Sequence, residues 1–191
     1  MDRLRLFIAI DIDKDGLNKI SQFQSSLTKE TKEIRWTDIS TWHLTLKFLG
    51  EQKRSLLDDI SEICNRATKL VQPFCVNICK AGAFPNIKLP RVIFLNVEQN
   101  ENLVKLAHFF EDNFTSLGIS KEERPFHPHI TLGRIKDPKT FFLKNPNFSN
   151  TFQTKGDTFC HSFNVSDFCL YQSILKKEGP EYLVVKRFTF N

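Results

Sequence analysis

Two short motifs in this 191-residue chain share one chemistry: His43-Leu44-Thr45 and His129-Ile130-Thr131. In an extended strand, residues i and i+2 point to the same side. Each histidine therefore shares a face with its threonine, and Leu44, Leu46, Ile130 and Leu132 take the other face. An imidazole can give or take a proton near neutral pH. Two of them around one phosphodiester can act as base on the nucleophile side and acid on the leaving side. Two threonine hydroxyls can donate to the non-bridging oxygens. The sequence offers no carboxylate cluster and no third ligand at zinc spacing, so the expected site is metal-free and cofactor-free. Symmetry alone leaves open which histidine is the acid.

The elements that must position these motifs come twice. Leu4 to Ile12 reads as a buried strand, followed by a helix from about Asp15 to Thr31 with Leu17, Ile20, Phe23 and Leu27 on one face. Leu44 to Leu49 is a second strand, closed by Gly50. Leu56 to Val71 is a second amphipathic helix, and Phe74 to Phe84 a strand bent near Gly82. The order then returns: strand Arg91 to Val97, helix Leu103 to Leu117, strand Ile130 to Ile135. The stretch from Asp137 to Gly156 reads as a loop or poor helix, and Val165 to Tyr171 and Leu183 to Phe190 as closing strands. His129 follows His43 by 86 residues and Arg91 follows Arg5 by 86, while Phe84 and Tyr171 match at 87. The expected architecture is α+β, one bilobal domain over 1–191 with a repeat of roughly 1–90 and 91–191. Each lobe is an antiparallel sheet with helices on its outer face. A pseudo-twofold axis relates the lobes, and the site lies in the cleft between the sheets.

Other residues follow from strand parity. Lys47 shares the alternation of His43 and Thr45, which makes it a candidate phosphate contact. Phe7 alternates with Leu6 and Ile8 and so faces the cleft, where it could stack on a base. Trp42 and Phe48 have the parity of the leucines and read as packing. His127 lies two residues before His129 as a candidate contact, and His108 and His161 read as structural.

The chain resembles the two-histidine phosphoesterases, and among them the RNA 2′,3′-cyclic phosphodiesterases related to LigT and ThpR. The resemblance rests on Arg5 to Asp11, on His43-Leu44-Thr45-Leu46-Lys47-Phe48-Leu49-Gly50, and on Arg124-Pro125-Phe126-His127-Pro128-His129-Ile130-Thr131-Leu132-Gly133-Arg134, with weaker echoes at Tyr171, Ser173 and Tyr182. It implies hydrolysis of a terminal 2′,3′-cyclic phosphate to a 2′-phosphomonoester, with His43 as proton donor and His129 as proton acceptor. It also implies a reverse, 2′-5′ joining activity on RNA ends such as those of tRNA. Arg134 resembles a phosphate-binding arginine of the family. A regular strand would turn it away from His129, so a bulge at Gly133 is needed to re-aim it. Two alternatives remain: a two-histidine enzyme acting on cyclic nucleotides, ADP-ribose cyclic phosphate or RNA 3′ ends, and a non-catalytic RNA-end-binding module.

Composition sets outer limits. With 40% apolar and 26% charged residues the chain can pack a core, and its net charge of +5 fits an anionic substrate without demanding one. Nineteen phenylalanines against one methionine imply an aromatic core. The five cysteines lack paired spacing and read as buried reduced thiols. The first residues lead straight into a strand pattern, so the expectation is a cytoplasmic monomer with no membrane contact.

Overall fold

Cleft-facing and core-facing residues alternate from the first strand. The computed structural model describes residues 3–28, 31, 33–177 and 179–191. In chain order its elements are β1 (Arg3–Asp11), α1 (Lys14–Thr28), β2 (Ile34–Trp36), β3 (His43–Lys53), α2 (Leu57–Ala67), β4 (Phe74–Phe84), β5 (Val92–Val97), α3 (Glu101–Asn113), β6 (His129–Ile135), α4 (Pro138–Lys144), α5 (Phe148–Asp157), β7 (Cys160–Val165), β8 (Asp167–Leu175) and β9 (Pro180–Thr189). They build two antiparallel sheets, ordered β3-β1-β8-β9 and β2-β6-β5-β4-β7. The strands that start with the two motif histidines, β3 and β6, lie against each other where the sheets meet.

Leu4, Leu6, Ile8 and Ile10 of β1, Leu44 and Leu46 of β3, and Ile130 and Leu132 of β6 join one core with Ile20, Ile60, Leu103 and Leu106 of the helices. Phe110, Phe114, Phe141, Phe152 and Phe168 are its largest fully enclosed side chains. Each contributes roughly 1.5–3 kcal/mol over an exposed ring. The other face of the first sheet carries a small cluster of Phe7, Ala9, Cys169 and Tyr171, packed by Tyr182. Among the described residues no helix is long and apolar enough to cross a membrane.

Several elements differ from the sequence reading. The 137–156 stretch holds two helices, because the Asp137 carboxylate caps the first by accepting from the Lys139 and Thr140 amides, and because Phe141, Phe148 and Phe152 drive both onto the core. The short strand β2 has no periodicity to betray it and exists only by pairing with β6. The bend of β4 falls at Lys80, whose φ of 59° accompanies a register break against β5. Residues 29 and 30, which the sequence reading assigned to the first helix, lie outside the described residues. The strands β1 and β5 align at an offset of 85, not 86: Asp11 faces His43 as Asn96 faces His129. One extra residue between β5 and its histidine accounts for the difference. The thiols are not uniformly buried either. Cys64 and Cys169 are buried, but Cys75 and Cys160 are exposed and Cys79 is half-buried, since β4 and β7 turn these three away from the core.

Candidate active site

His43 and His129 open their strands in the same way. The Nδ1 of His43 lies 2.7 Å from the Thr41 carbonyl oxygen, and the Nδ1 of His129 lies 2.7 Å from that of His127. A carbonyl can only accept, so each Nδ1 carries the proton and each neutral ring presents an unprotonated Nε2. Aromatic walls hold both rings. His43 sits 4.9 Å from Phe7 and meets Tyr182 edge-on at 5.2 Å. His129 sits 5.1 Å from Phe84 and 5.0 Å from Phe94. Burial disfavours the charged imidazole in this enclosure, holding His43 down to about 4 and His129 below its usual value. The charge of each surroundings differs. Asp11 acts to raise His43, whereas His127 and Arg134 lower His129 further. His129 also acts to lower His43.

Thr45 pairs with Ala9 and Thr131 with Phe94, each on the cleft face beside its histidine. Immediately afterwards both strands carry a bulge at the same place. Between Thr45 and Lys47, Leu46 is extra against β1, and between Thr131 and Gly133, Leu132 is extra against β5. Parity inverts at each bulge, and this decides three assignments. Arg134 turns back onto the cleft face, exposed, as its phosphate-contact reading requires. Lys47 turns the other way, which corrects its reading as a phosphate contact. It pairs with Ile8, is 2% exposed, and donates to the Glu111 carboxylate at 2.7 Å and the Ser120 carbonyl at 2.9 Å. Phe48, read from parity as packing, instead pairs with Phe7 on the cleft side and is 56% exposed. It occupies in β3 the place that Arg134 occupies in β6.

Thr37 fixes the second bulge. Its amide donates to the Leu132 carbonyl at 2.9 Å, and its hydroxyl donates to the Thr131 and Leu132 carbonyls at 2.9 and 2.8 Å. The Gln24 amide adds a bond to the same Leu132 oxygen at 3.2 Å. The Trp42 indole, next to His43, donates to the Thr37 hydroxyl at 2.8 Å. One threonine thus ties the start of β3 to the bulge of β6.

The remaining candidates spread out. Phe7 is on the cleft side but closed, stacked on Tyr171 at 5.1 Å with Tyr182 edge-on at 4.8 Å. It cushions His43 and presents no open ring for a base, a correction to its reading as a stacking platform. Tyr171 is buried too, its hydroxyl donating to Asp11. It packs behind His43 through Phe7 and Asp11. Ser173 is half-buried and pairs with Tyr182. His127 is exposed, its ring 5.2 Å from Phe84. His161 is buried and bonded to Asp13 at 2.6 Å, tying β7 to the start of α1.

Sequence reasoning passed over Asp11 and Thr37. Asp11 faces His43 across the β1–β3 ladder and accepts from Arg187 at 2.8 Å as well as from Tyr171. The alternation Phe7, Ala9, Asp11 was signal enough to find it. Thr37 carries no such signal, because the carbonyls its hydroxyl meets lie 94 and 95 residues along the chain. Among the described residues no three His, Cys, Asp or Glu side chains stand close enough together to hold a metal ion.

The model of the LigT-like phosphoesterase family matches this chain twice, over residues 10–94 and 93–182. RNA 2′,3′-cyclic phosphodiesterases of Archaeoglobus fulgidus and Methanocaldococcus jannaschii are each 31% identical to it, over 97% of this chain and 99% and 100% of theirs. That of Thermus thermophilus is 33% identical over 97% of this chain and 90% of its own. Among solved structures, a Thermus thermophilus protein superposes with a TM-score of 0.81 at 28% identity, covering 98% of both chains. Escherichia coli LigT complexed with NADP+ superposes at 0.79 with 26% identity, covering 100% of this chain and 99% of that one.

Proposed function

Because the chain belongs to the LigT-like phosphoesterases, we infer that it is an RNA 2′,3′-cyclic phosphodiesterase, and we propose that His43 and His129 perform the hydrolysis as an acid–base pair. The observation that carries this reading is the repeated local geometry. Two histidines, each with Nδ1 satisfied by a carbonyl, stand beside two threonines on strands bulged at matching positions.

In the proposed step His129 Nε2 takes a proton from water, and the water oxygen bonds to phosphorus. The P–O3′ bond breaks as His43 Nε2 gives its proton to O3′, leaving a 2′-phosphomonoester. Thr45, Thr131 and Arg134 hold the non-bridging oxygens, whose charge grows in the transition state. Asp11 beside His43, against neutral Asn96 beside His129, supports this division of roles. A carboxylate favours an imidazolium at His43, where burial opposes it in the free site, and Arg134 and His127 disfavour one at His129; the bound phosphate anion must therefore raise His43 before it can donate. One chain supplies both histidines, so the reading requires no second copy. Ends of tRNA fit the same chemistry as any RNA terminus.

The test is hydrolysis of an RNA ending in 2′,3′-cyclic phosphate in the presence of excess chelator, with the position of the product phosphate determined. A 2′-monoester formed at an undiminished rate is expected. His43→Ala and His129→Ala should each cut kcat by several orders of magnitude while the protein still melts cooperatively. Full activity in either variant would refute the paired scheme.

A further inference from the structure

The second sheet has one strand more than the first, and that strand delivers a single side chain to the cleft. In β2, Ile34 is buried opposite Ile135 and Trp36 lies opposite Gly133, while exposed Arg35 lies directly across from Arg134. Cross-strand partners share a face, so the bulge that re-aims Arg134 brings it onto the face of Arg35. Adjacent strands run ~5 Å apart. Two arginine side chains therefore leave neighbouring strands on one face, and among the described residues neither has a carboxylate within ion-pair distance. Like charges directly opposite destabilise a ladder. A charge on an edge strand does guard against stray pairing, but a glutamate at 35 would guard the edge equally and would also pair with Arg134. An arginine there is the costly choice for the free protein and becomes favourable once an anion lies between the two.

The position fits a polymer. The tip of the β8–β9 hairpin closes over the same place: a Cβ on Gly179 would stand 3.9 Å from the Arg35 guanidinium. The phenol of Tyr182, which packs against His43, is within the field of both Arg134 and Arg5. Arg5 lies across from Glu51 in its own ladder and is partly compensated. Arg35 is not. The positive row thus runs along β6 from His129 to Arg134 and across the ladder to Arg35.

We propose that Arg35, beside the Arg134 that holds the reacting phosphate, binds the next backbone phosphate and so gives the enzyme its preference for an RNA end over a cyclic mononucleotide. This rests on the activity proposed above. Two measurements separate its failure from failure of that reading. The first compares kcat/KM for 2′,3′-cyclic AMP with that for an octaribonucleotide ending in 2′,3′-cyclic phosphate. In Arg35→Gln the preference for the octanucleotide should fall about ten-fold, the loss of one charged hydrogen-bonded contact. An unchanged preference, or an equal loss on both substrates, would overturn the proposal. The second needs no turnover: binding of an octaribonucleotide bearing a terminal 3′-phosphate, followed against salt. Arg35→Gln should lower the log–log slope by about 0.7, and Arg35→Lys should restore most of it. Equal slopes in all three proteins would overturn the proposal even if no substrate were cleaved.

Discussion

Lys47 separates a cation that meets RNA from one that builds the fold, and its surroundings set the size of the difference. Its side chain is 1% exposed and its ammonium rests on Glu111 and the Ser120 carbonyl. Glu111→Gln removes the anion and leaves the ammonium enclosed, a change that typically costs about 3–5 kcal/mol. For a chain of this size that is roughly 6–20 °C in Tm. Lys47→Met is milder. It replaces the stem with an apolar chain of similar volume, and the Glu111 carboxylate, 20% exposed, keeps the Glu122 amide at 2.9 Å and some access to water. Its expected cost is about 1–2 kcal/mol, since a well-packed apolar replacement of a buried ion tends toward neutral. The order is thus Glu111→Gln well below Lys47→Met, measured by urea unfolding at pH 7. Binding of RNA, measured well below both melting temperatures, should keep its affinity and its salt slope in Lys47→Met. A weaker, less salt-dependent complex with unchanged stability would show that Lys47 reaches RNA and that the bulge at Leu46 is misplaced.

Four further outcomes follow from the geometry. The singly protonated histidine pair is most abundant between the two imidazole values, which lie near 4 for His43 and below 6.5 for His129. In a pH series, kcat/KM should therefore rise as pH falls from 8 toward the acid side of 6.5, and kcat should peak at higher pH, because a bound anion raises both values; a kcat/KM optimum above pH 8 would contradict this. The same depressed values make folding stability fall as pH drops from 6.5 toward 4, since the unfolded chain binds protons that the native site refuses, and His43→Phe should flatten that decline in urea titrations. Thr37→Val, isosteric but without its hydroxyl, strands the Trp42 indole and loosens the Leu132 bulge. It should cost about 1–3 kcal/mol and lower kcat more than an equally destabilising change on α4. A thiol reagent should label Cys75 and Cys160 in the native protein and spare Cys64 and Cys169, whose thiols burial pushes up, that of Cys169 to about 11; fast labelling of all five would mean the core opens readily.

The primary structure determines the chemistry because residue type and parity are local. His43, Thr45, His129 and Thr131 reach one face through an alternation that needs no tertiary information, and the apolar partners Leu44 and Ile130 settle which face is buried. Both repeated strand–helix units are legible for the same reason. The bulges are not. Each inserts one residue relative to a neighbouring strand, and that register exists only once the neighbour is in place. From there the tertiary structure sends Lys47 inward to Glu111, turns Phe48 and Arg134 outward, and brings Arg35 alongside. Asp11 stood in the correct alternation all along, but its closeness to His43 and to Arg187, 176 residues later, is a fact of pairing between strands. Composition and period place each histidine beside its threonine at the head of a half-buried strand. Strand register, a non-local quantity, decides which charges surround them.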